Sequence, residues 1–162
     1  METFYYSRMN SPVGPLLIVA SDRGLVRLEF DRDPAKIPAN GVNSDEKTAP
    51  YRWQVEEYFR GERQRFDFPL DLRGTDFQKR CWQALLEIPY GETRSYADIA
   101  RAVGSPRGFR AVGLANNRNP IAIVVPCHRV LASDGSLCGY GGGLEVKQHL
   151  LELESKARAA AA

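Results

Sequence analysis

The apolar residues of this chain come in short blocks, and the spacing inside the blocks changes from strand-like to helix-like near residue 75. Residues 14–21 (GPLLIVAS) and 24–30 (GLVRLEF) are apolar runs of strand length. The Ser-Asp-Arg-Gly that joins them carries the Asp and Gly of a tight turn. Residues 31–50 hold three prolines, one glycine and mostly polar side chains, which predicts a long, flexible surface loop. Residues 51–61 (YRWQVEEYFRG) predict a short helix, with Trp53, Val55 or Glu56, and Tyr58–Phe59 about a turn apart and Gly61 as its stop. Phe66, Phe68, Leu70 and Leu72 alternate and predict a further strand. The first 74 residues therefore read as a small α/β domain in which nothing announces chemistry.

From residue 75 the period is helical. Phe77, Cys81, Trp82, Leu85 and Leu86 form one stripe, Thr75 or Asp76 is the N-cap, and Pro89 and Gly91 end the element. Cys81 lies on that stripe and reads as core. Tyr96, Ile99, Ala100 and Val103 line a second helix, Gly104-Ser-Pro breaks it, and Phe109 and Val112 line a third that ends near Asn116 and Asn117. Two short helices joined by a glycine-bearing turn are a helix-turn-helix signal. The small residues of RAVGLA, 110–115, let such a helix approach a groove closely. Residues 121–125 (IAIVV) predict a buried strand, and residues 135–143 contain five glycines, a loop able to bend over a ligand. Residues 144–154 predict a closing helix, and SKARAAAA after it a frayed tail. Residues 75–162 thus form a mainly helical second domain.

Composition narrows the class. The 162 residues are 43% hydrophobic and 26% charged, as in an ordinary globular protein. No apolar run approaches the roughly 20 residues of a membrane span, and the N-terminus lacks the pattern of a secretory signal. Three cysteines, an odd number, do not read as a disulfide framework and suggest a reducing compartment, the cytoplasm. With no CxxC spacing, and His128 and His149 as the sole histidines, no metal site is expected. Net charge is a bland +2, but unevenly placed. Residues 1–74 carry 11 basic and 12 acidic side chains, whereas residues 94–129 carry six arginines (94, 101, 107, 110, 118 and 129) against Asp98 alone. A basic stretch made of arginine suits phosphate contacts.

The candidate chemistry is at Cys127-His128. A buried cysteine is usually a small hydrophobe, but a thiol beside an imidazole can be a nucleophile. In this chain the pair sits in RAVGLANNRNPIAIVVPCHRV, followed by GYGGGLEVKQHLLELE. Those stretches closely resemble the O6-alkylguanine-DNA alkyltransferases, the methylated-DNA–protein-cysteine methyltransferase family, from about residue 75 to 154, and SPVGPLLIVAS resembles that family's first hairpin. The resemblance implies an α/β (α+β) fold: a ribonuclease-H-like N-terminal domain and a winged-helix-like domain with a helix-turn-helix. It implies repair by direct reversal of damage. An O6-alkylguanine, and also an O4-alkylthymine, is flipped from double-stranded DNA, and its alkyl group passes irreversibly to Cys127, with no cofactor. His128 would take the thiol proton, directly or through a water, and Glu154 would orient the imidazole. The sequence itself shows only that a terminal helix returns with acids at Glu152 and Glu154. By the same resemblance Tyr96 rotates the nucleotide and polarises the base, Arg110 fills the vacated stack, and Asn119 braces the turn before the active site. Ser133 contacts the DNA backbone, and Gly141 stands where the family often has serine. His149 and Cys138 receive no role. The acting species is expected to be a monomer, with clustering on DNA. Two rivals remain: a protein that binds damaged bases without repairing them, and a cysteine hydrolase using Cys127 and His128.

Overall fold

The computed structural model describes residues 2–31, 36–137 and 139–161, which form two compact units, Met1–Arg73 and Gly74–Ala162. The fold class is the mixed one expected, a sheet-bearing N-terminal unit and a mainly helical C-terminal one.

In the first unit, β1 (Phe4–Met9), β2 (Leu16–Ala20), β3 (Leu25–Phe30) and β4 (Gly41–Asn43) form one sheet in the order β3-β2-β1-β4. The first three strands are antiparallel neighbours, and β4 joins β1 in parallel. Every residue of β2 is buried, as a central strand covered on both faces requires. Leu17, Val19 and Val26 cluster with Phe4 and Tyr6 on one face. Helix α1 (Asp45–Phe59) packs on β1 and β2, and the buried Ser7 and Thr48 hydroxyls meet at 2.6 Å between strand and helix.

Three expectations for this unit are corrected. The stretch 31–50 is not a continuous loop, because β4 lies in it and α1 begins six residues before the expected helix. Ser44 caps α1 by accepting from the Lys47 amide, and Asp45 and Glu46 occupy the positive end of the helix dipole. Pro50 sits inside, costing the helix the one bond its missing N–H would make. Second, the alternating Phe66–Leu72 run is no strand. Leu70 makes a single bridge to Leu25, while Phe66 and Phe68 stack with Tyr58 and Tyr51. Third, strand β1 had no counterpart among the expected elements.

The second unit opens with α2 (Asp76–Leu86), closed at its start by a reciprocal box between Thr75 and Gln78. Strand β5 (Arg94–Ser95) leads directly into α3 (Tyr96–Ala102), capped by a second box between Ser95 and Asp98. A turn through Gly104 then gives α4 (Phe109–Asn117). The Trp82 indole donates to the Ala115 carbonyl at 3.0 Å and fastens α2 to α4. Cys127–Arg129 form one 3₁₀ turn, β6 (Val130–Leu131) follows, and α5 (Leu144–Ala161) ends the chain. Of the tail expected to fray, residues 155–161 are the last part of α5, and Ala162 lies outside the described residues. β5 and β6 pair in parallel, Ser95 opposite Leu131, so the residues that follow each strand, Tyr96 and Ala132–Ser133, emerge side by side.

The IAIVV run is the main departure in this unit. It is buried as expected, but it is a turn and not a strand. The Val124 amide donates to the Ala122 carbonyl at 2.8 Å around Ile123, whose φ of 72° makes this the rare γ-turn with a positive central φ. The Cys127 amide then donates to the Val125 carbonyl at 2.8 Å around Pro126 (φ −83°, ψ 63°), a γ-turn of the common hand. Two tight turns in succession replace the extended backbone that the apolar pattern predicts.

Candidate active site

Cys127 is delivered by those turns and clasped by Asn119. The Asn119 amide nitrogen donates to the Val125 carbonyl at 2.8 Å and lies 3.2 Å from the Cys127 sulfur. Its oxygen accepts from the Ile121 amide at 2.9 Å. One side chain thus satisfies backbone groups at both ends of the apolar turn and touches the thiol. Burial pushes the Cys127 thiol up, opposed by the Asn119 hydrogen bond and by the charge of Lys147. The resting group is therefore a thiol, and its activation requires a proton acceptor.

The next residue in the chain is a histidine. His128 is fully buried, and its Nε2 lies 2.5 Å from Glu154 Oε2 on α5. Arg129 grips the same carboxylate, Nε to Oε1 at 2.7 Å and a terminal nitrogen to Oε2 at 3.1 Å, while its other terminal nitrogen donates to the Ile88 carbonyl at 2.8 Å. Burial raises the Glu154 carboxyl, but the hydrogen bonds of His128 and Arg129, the Arg129 charge and, once the imidazole is protonated, the His128 charge outweigh it and hold the group at about 2. Burial also lowers His128, and because the Glu154 charge is already matched by Arg129, the imidazole stays neutral. A neutral ring that donates from Nε2 to a carboxylate has its lone pair on Nδ1. Nδ1 is buried and has no protein partner among the described residues, so it is free to receive a proton.

Arg129 corrects the charge argument, since it is a buried counter-ion and not part of a basic face. Arg94 pairs with Glu92 and Arg101 with Asp98. Within residues 94–129, Arg107, Arg110 and Arg118 have no acidic partner among the described residues, so the unpaired charge of that stretch lies in α4 and its flanks.

Tyr96, Arg110 and Ser133 line one open cleft of about 590 Å³ together with Ala97, Phe109 and Gly113. The parallel β5–β6 register explains the meeting of Tyr96 with Ser133. The Tyr96 hydroxyl donates to the Gly139 carbonyl at 3.4 Å. Gly141 is exposed and does not line this cleft. Cys138 lies outside the described residues.

Lys147 and Asn116 were not singled out by the sequence. Lys147 is fully buried on α5, one turn before Leu150 and two before Glu154, with its ammonium 5.9 Å from the Tyr96 ring centre. Its positive charge lowers both the Cys127 thiol and the His128 imidazole. A lysine on the buried stripe 147-150-154 was the available signal. Asn116 is buried on α4, and neither atom of its amide finds a partner among the described residues. Among those residues no three His, Cys, Asp or Glu side chains cluster as metal ligands would, and no helix is long and apolar enough to cross a membrane.

Residues 4–72 match the family model for the 6-O-methylguanine DNA methyltransferase ribonuclease-like domain, and residues 76–156 match that for the DNA-binding domain of the same family. A methylated-DNA–protein-cysteine methyltransferase of Methanosarcina barkeri is 51% identical over 152 residues, 93% of this chain and 96% of the relative. One from Mycobacterium tuberculosis is 50% identical over 163 residues, covering 97% and 95%. The crystal structure of Mycobacterium tuberculosis OGT in complex with DNA superposes with a TM-score of 0.89 at 48% identity over 94% of each chain. O6-methylguanine-DNA methyltransferase from Pyrococcus kodakaraensis gives 0.60 at 28% identity, covering 94% of this chain and 99% of that one.

Proposed function

We propose a division of labour in this site from one premise: the chain belongs to the 6-O-methylguanine DNA methyltransferase family. Its activity is DNA repair by transfer of an alkyl group to a cysteine of the protein, and its partner is DNA. Cys127 is that cysteine. The observation that carries the assignment is the buried set of contacts Asn119–Cys127 and His128–Glu154–Arg129, in which the thiol is followed in the chain by a neutral imidazole whose Nδ1 has no partner among the described residues.

The thiol proton passes to His128 Nδ1, directly or through a water. Glu154, already ionised, stabilises the imidazolium through Nε2. The sulfur attacks the alkyl carbon, the bond from that carbon to the guanine O6 breaks, and the base takes up one proton. The net result is a thioether and an unmodified guanine. A thioether sulfur is not released again under these conditions, so each molecule acts once. Each transfer consumes one Cys127, so a monomer suffices as the acting unit, and a nucleophilic thiol persists in a reducing compartment such as the cytoplasm.

The reactive oxygen of a paired guanine lies within the stack, and Cys127 is only 7% exposed, so the nucleotide is extruded before reaction. Tyr96, Arg110 and Ser133 line the cleft that receives it, where Tyr96 rotates the nucleotide, Arg110 fills the gap left in the stack and Ser133 contacts the DNA backbone. O4-alkylthymine fits the same chemistry.

The test uses a duplex with one O6-methylguanine. Mass spectrometry is expected to place 14 Da (one CH₂ of net mass) on the peptide containing Cys127, and Cys127→Ser to abolish transfer while retaining duplex binding. An adduct on another residue, or transfer by the serine variant at the wild-type rate, overturns the assignment.

A further inference from the structure

Helix α4 carries two large apolar side chains in water. Phe109 is 52% exposed and Leu114 is 53% exposed, on a helix whose inward face, Val112, Ala115 and Asn116, is fully buried. Phe109 has no ring or cation contact among the described residues. A single exposed leucine needs no explanation, but the placement of these two does. At about 100° per residue, the exposed residues 109, 110, 111, 114, 117 and 118 span an arc of roughly 200° with Arg110 near its centre. Phe109 stands on one flank of Arg110, and Leu114 lies one turn along on the other. Arg110 and Arg118, both without acidic partners, bracket Leu114 on the same outer face.

Gly113 completes the arrangement. It lies one turn after Phe109 on the same side of the helix, and a Cβ placed there would come within 4.0 Å of the Tyr96 ring. The missing side chain keeps the space between Phe109 and Tyr96 open, and all three line the cleft. The small residues expected to let α4 sit close to DNA are therefore preceded by one bulky side chain, Phe109, and interrupted by another, Leu114.

We propose that Phe109 and Leu114 are an apolar wedge that enters the minor groove on either side of Arg110 and supplies the stacking surface lost when the nucleotide is extruded. The inference rests on the DNA-repair reading above and deepens it. The occupant is duplex DNA, because the apolar pair is set among unpaired arginines. That combination suits base faces and sugars flanked by phosphates. Apolar side chains inserted between base steps unstack and kink a duplex toward the major groove. An arginine alone supplies charge and a planar face, whereas Phe109 adds an aromatic face with few rotamers to lose.

The experiment compares transfer rates from two substrates, a methylated duplex and free O6-benzylguanine, for the wild type, Phe109→Ala, Leu114→Ala, the double variant and Phe109→Trp. The ratio of duplex rate to free-base rate is expected to fall about 10-fold in the double variant and to be kept by Phe109→Trp. The ratio should recover to within about 3-fold when the lesion faces an abasic site, where pairing and part of the stacking are already gone. A 2-aminopurine beside the lesion should brighten with the wild type and much less with the double variant. An unchanged ratio, or a loss that persists opposite the abasic site, overturns the wedge. No transfer from either substrate by the wild type would instead overturn the repair reading itself.

Discussion

Replacing Glu154 with glutamine removes one negative charge from the buried cluster and keeps its shape. In the folded protein the Glu154 carboxyl is held at about 2, against 4.5 for the free side chain. As pH falls, the unfolded chain therefore binds this proton first. The carboxylate's contribution to stability is complete above about pH 4.5 and is lost progressively between about 4.5 and about 2. At about 1.36 kcal/mol per pH unit, that interval is roughly 3 kcal/mol. Glu154→Gln forfeits it and leaves the Arg129 guanidinium buried without its counter-ion, a change that typically costs about 3–5 kcal/mol in all. Acidification takes from the wild type what the variant never had, so the difference between them should shrink by about 2 kcal/mol from pH 4.5 to pH 3. His128, whose pKa burial lowers from 6.5 and Glu154 raises, adds a loss of stability below about pH 6.5 in both forms, larger in the variant, which lacks the carboxylate. The assay is urea unfolding of both proteins at pH 7, 5, 4 and 3, followed by the fluorescence of Trp82, which is buried in the same unit. Equal stability at pH 7, or a difference that stays constant down to pH 3, refutes the reasoning.

Two further substitutions probe the residues that the sequence did not single out. Lys147→Met removes the cation that lowers both the Cys127 thiol and the His128 imidazole. The rate of transfer from a free alkylated base should fall at pH 7 and its pH profile move to higher pH, and an unmoved profile would show that the charge is not felt at the sulfur. Asn116→Leu replaces a buried amide without partners by an apolar group of similar size, so stability should rise by about 1–2 kcal/mol in the same urea assay. A decrease would mean that the amide is satisfied after all.

What the sequence revealed depended on the range of the interaction concerned. The helix start at Thr75, the glycine turn and the Cys-His pair are local, and each is readable from a few residues. Ser44-Asp45-Glu46 was an equally local helix start, but Pro50 and the proline-rich surroundings masked it. Strand β4 could not be read from its own three residues, because it exists through parallel pairing with β1. The phenylalanines at 66 and 68 alternate because they pack on tyrosines of α1, a pattern indistinguishable from a strand in sequence. Charge counting failed at Arg129 for the same reason. An arginine four residues from a surface loop looks solvated until its partner, 25 residues along the chain, is seen beside it.

The IAIVV run shows why the misread pattern and the chemistry belong together. A β-branched residue with φ near +70° is strained by about 1–3 kcal/mol, and persists only where its surroundings over-determine it. Ile121, Ile123 and Val125 are completely buried, and Asn119 ties the ends of the turn to one amide group. The apolarity that imitates a sheet strand is what pins a conformation no sheet would accept. A strand would carry Cys127 away from α4 at about 3.3 Å per residue. The paired γ-turns instead fold the chain back, so that a residue eight positions after Asn119 has its sulfur 3.2 Å from the Asn119 side chain. Burial of the run, strain at Ile123 and placement of the nucleophile are therefore one structural fact, and its apolar residues serve the position of a single sulfur atom.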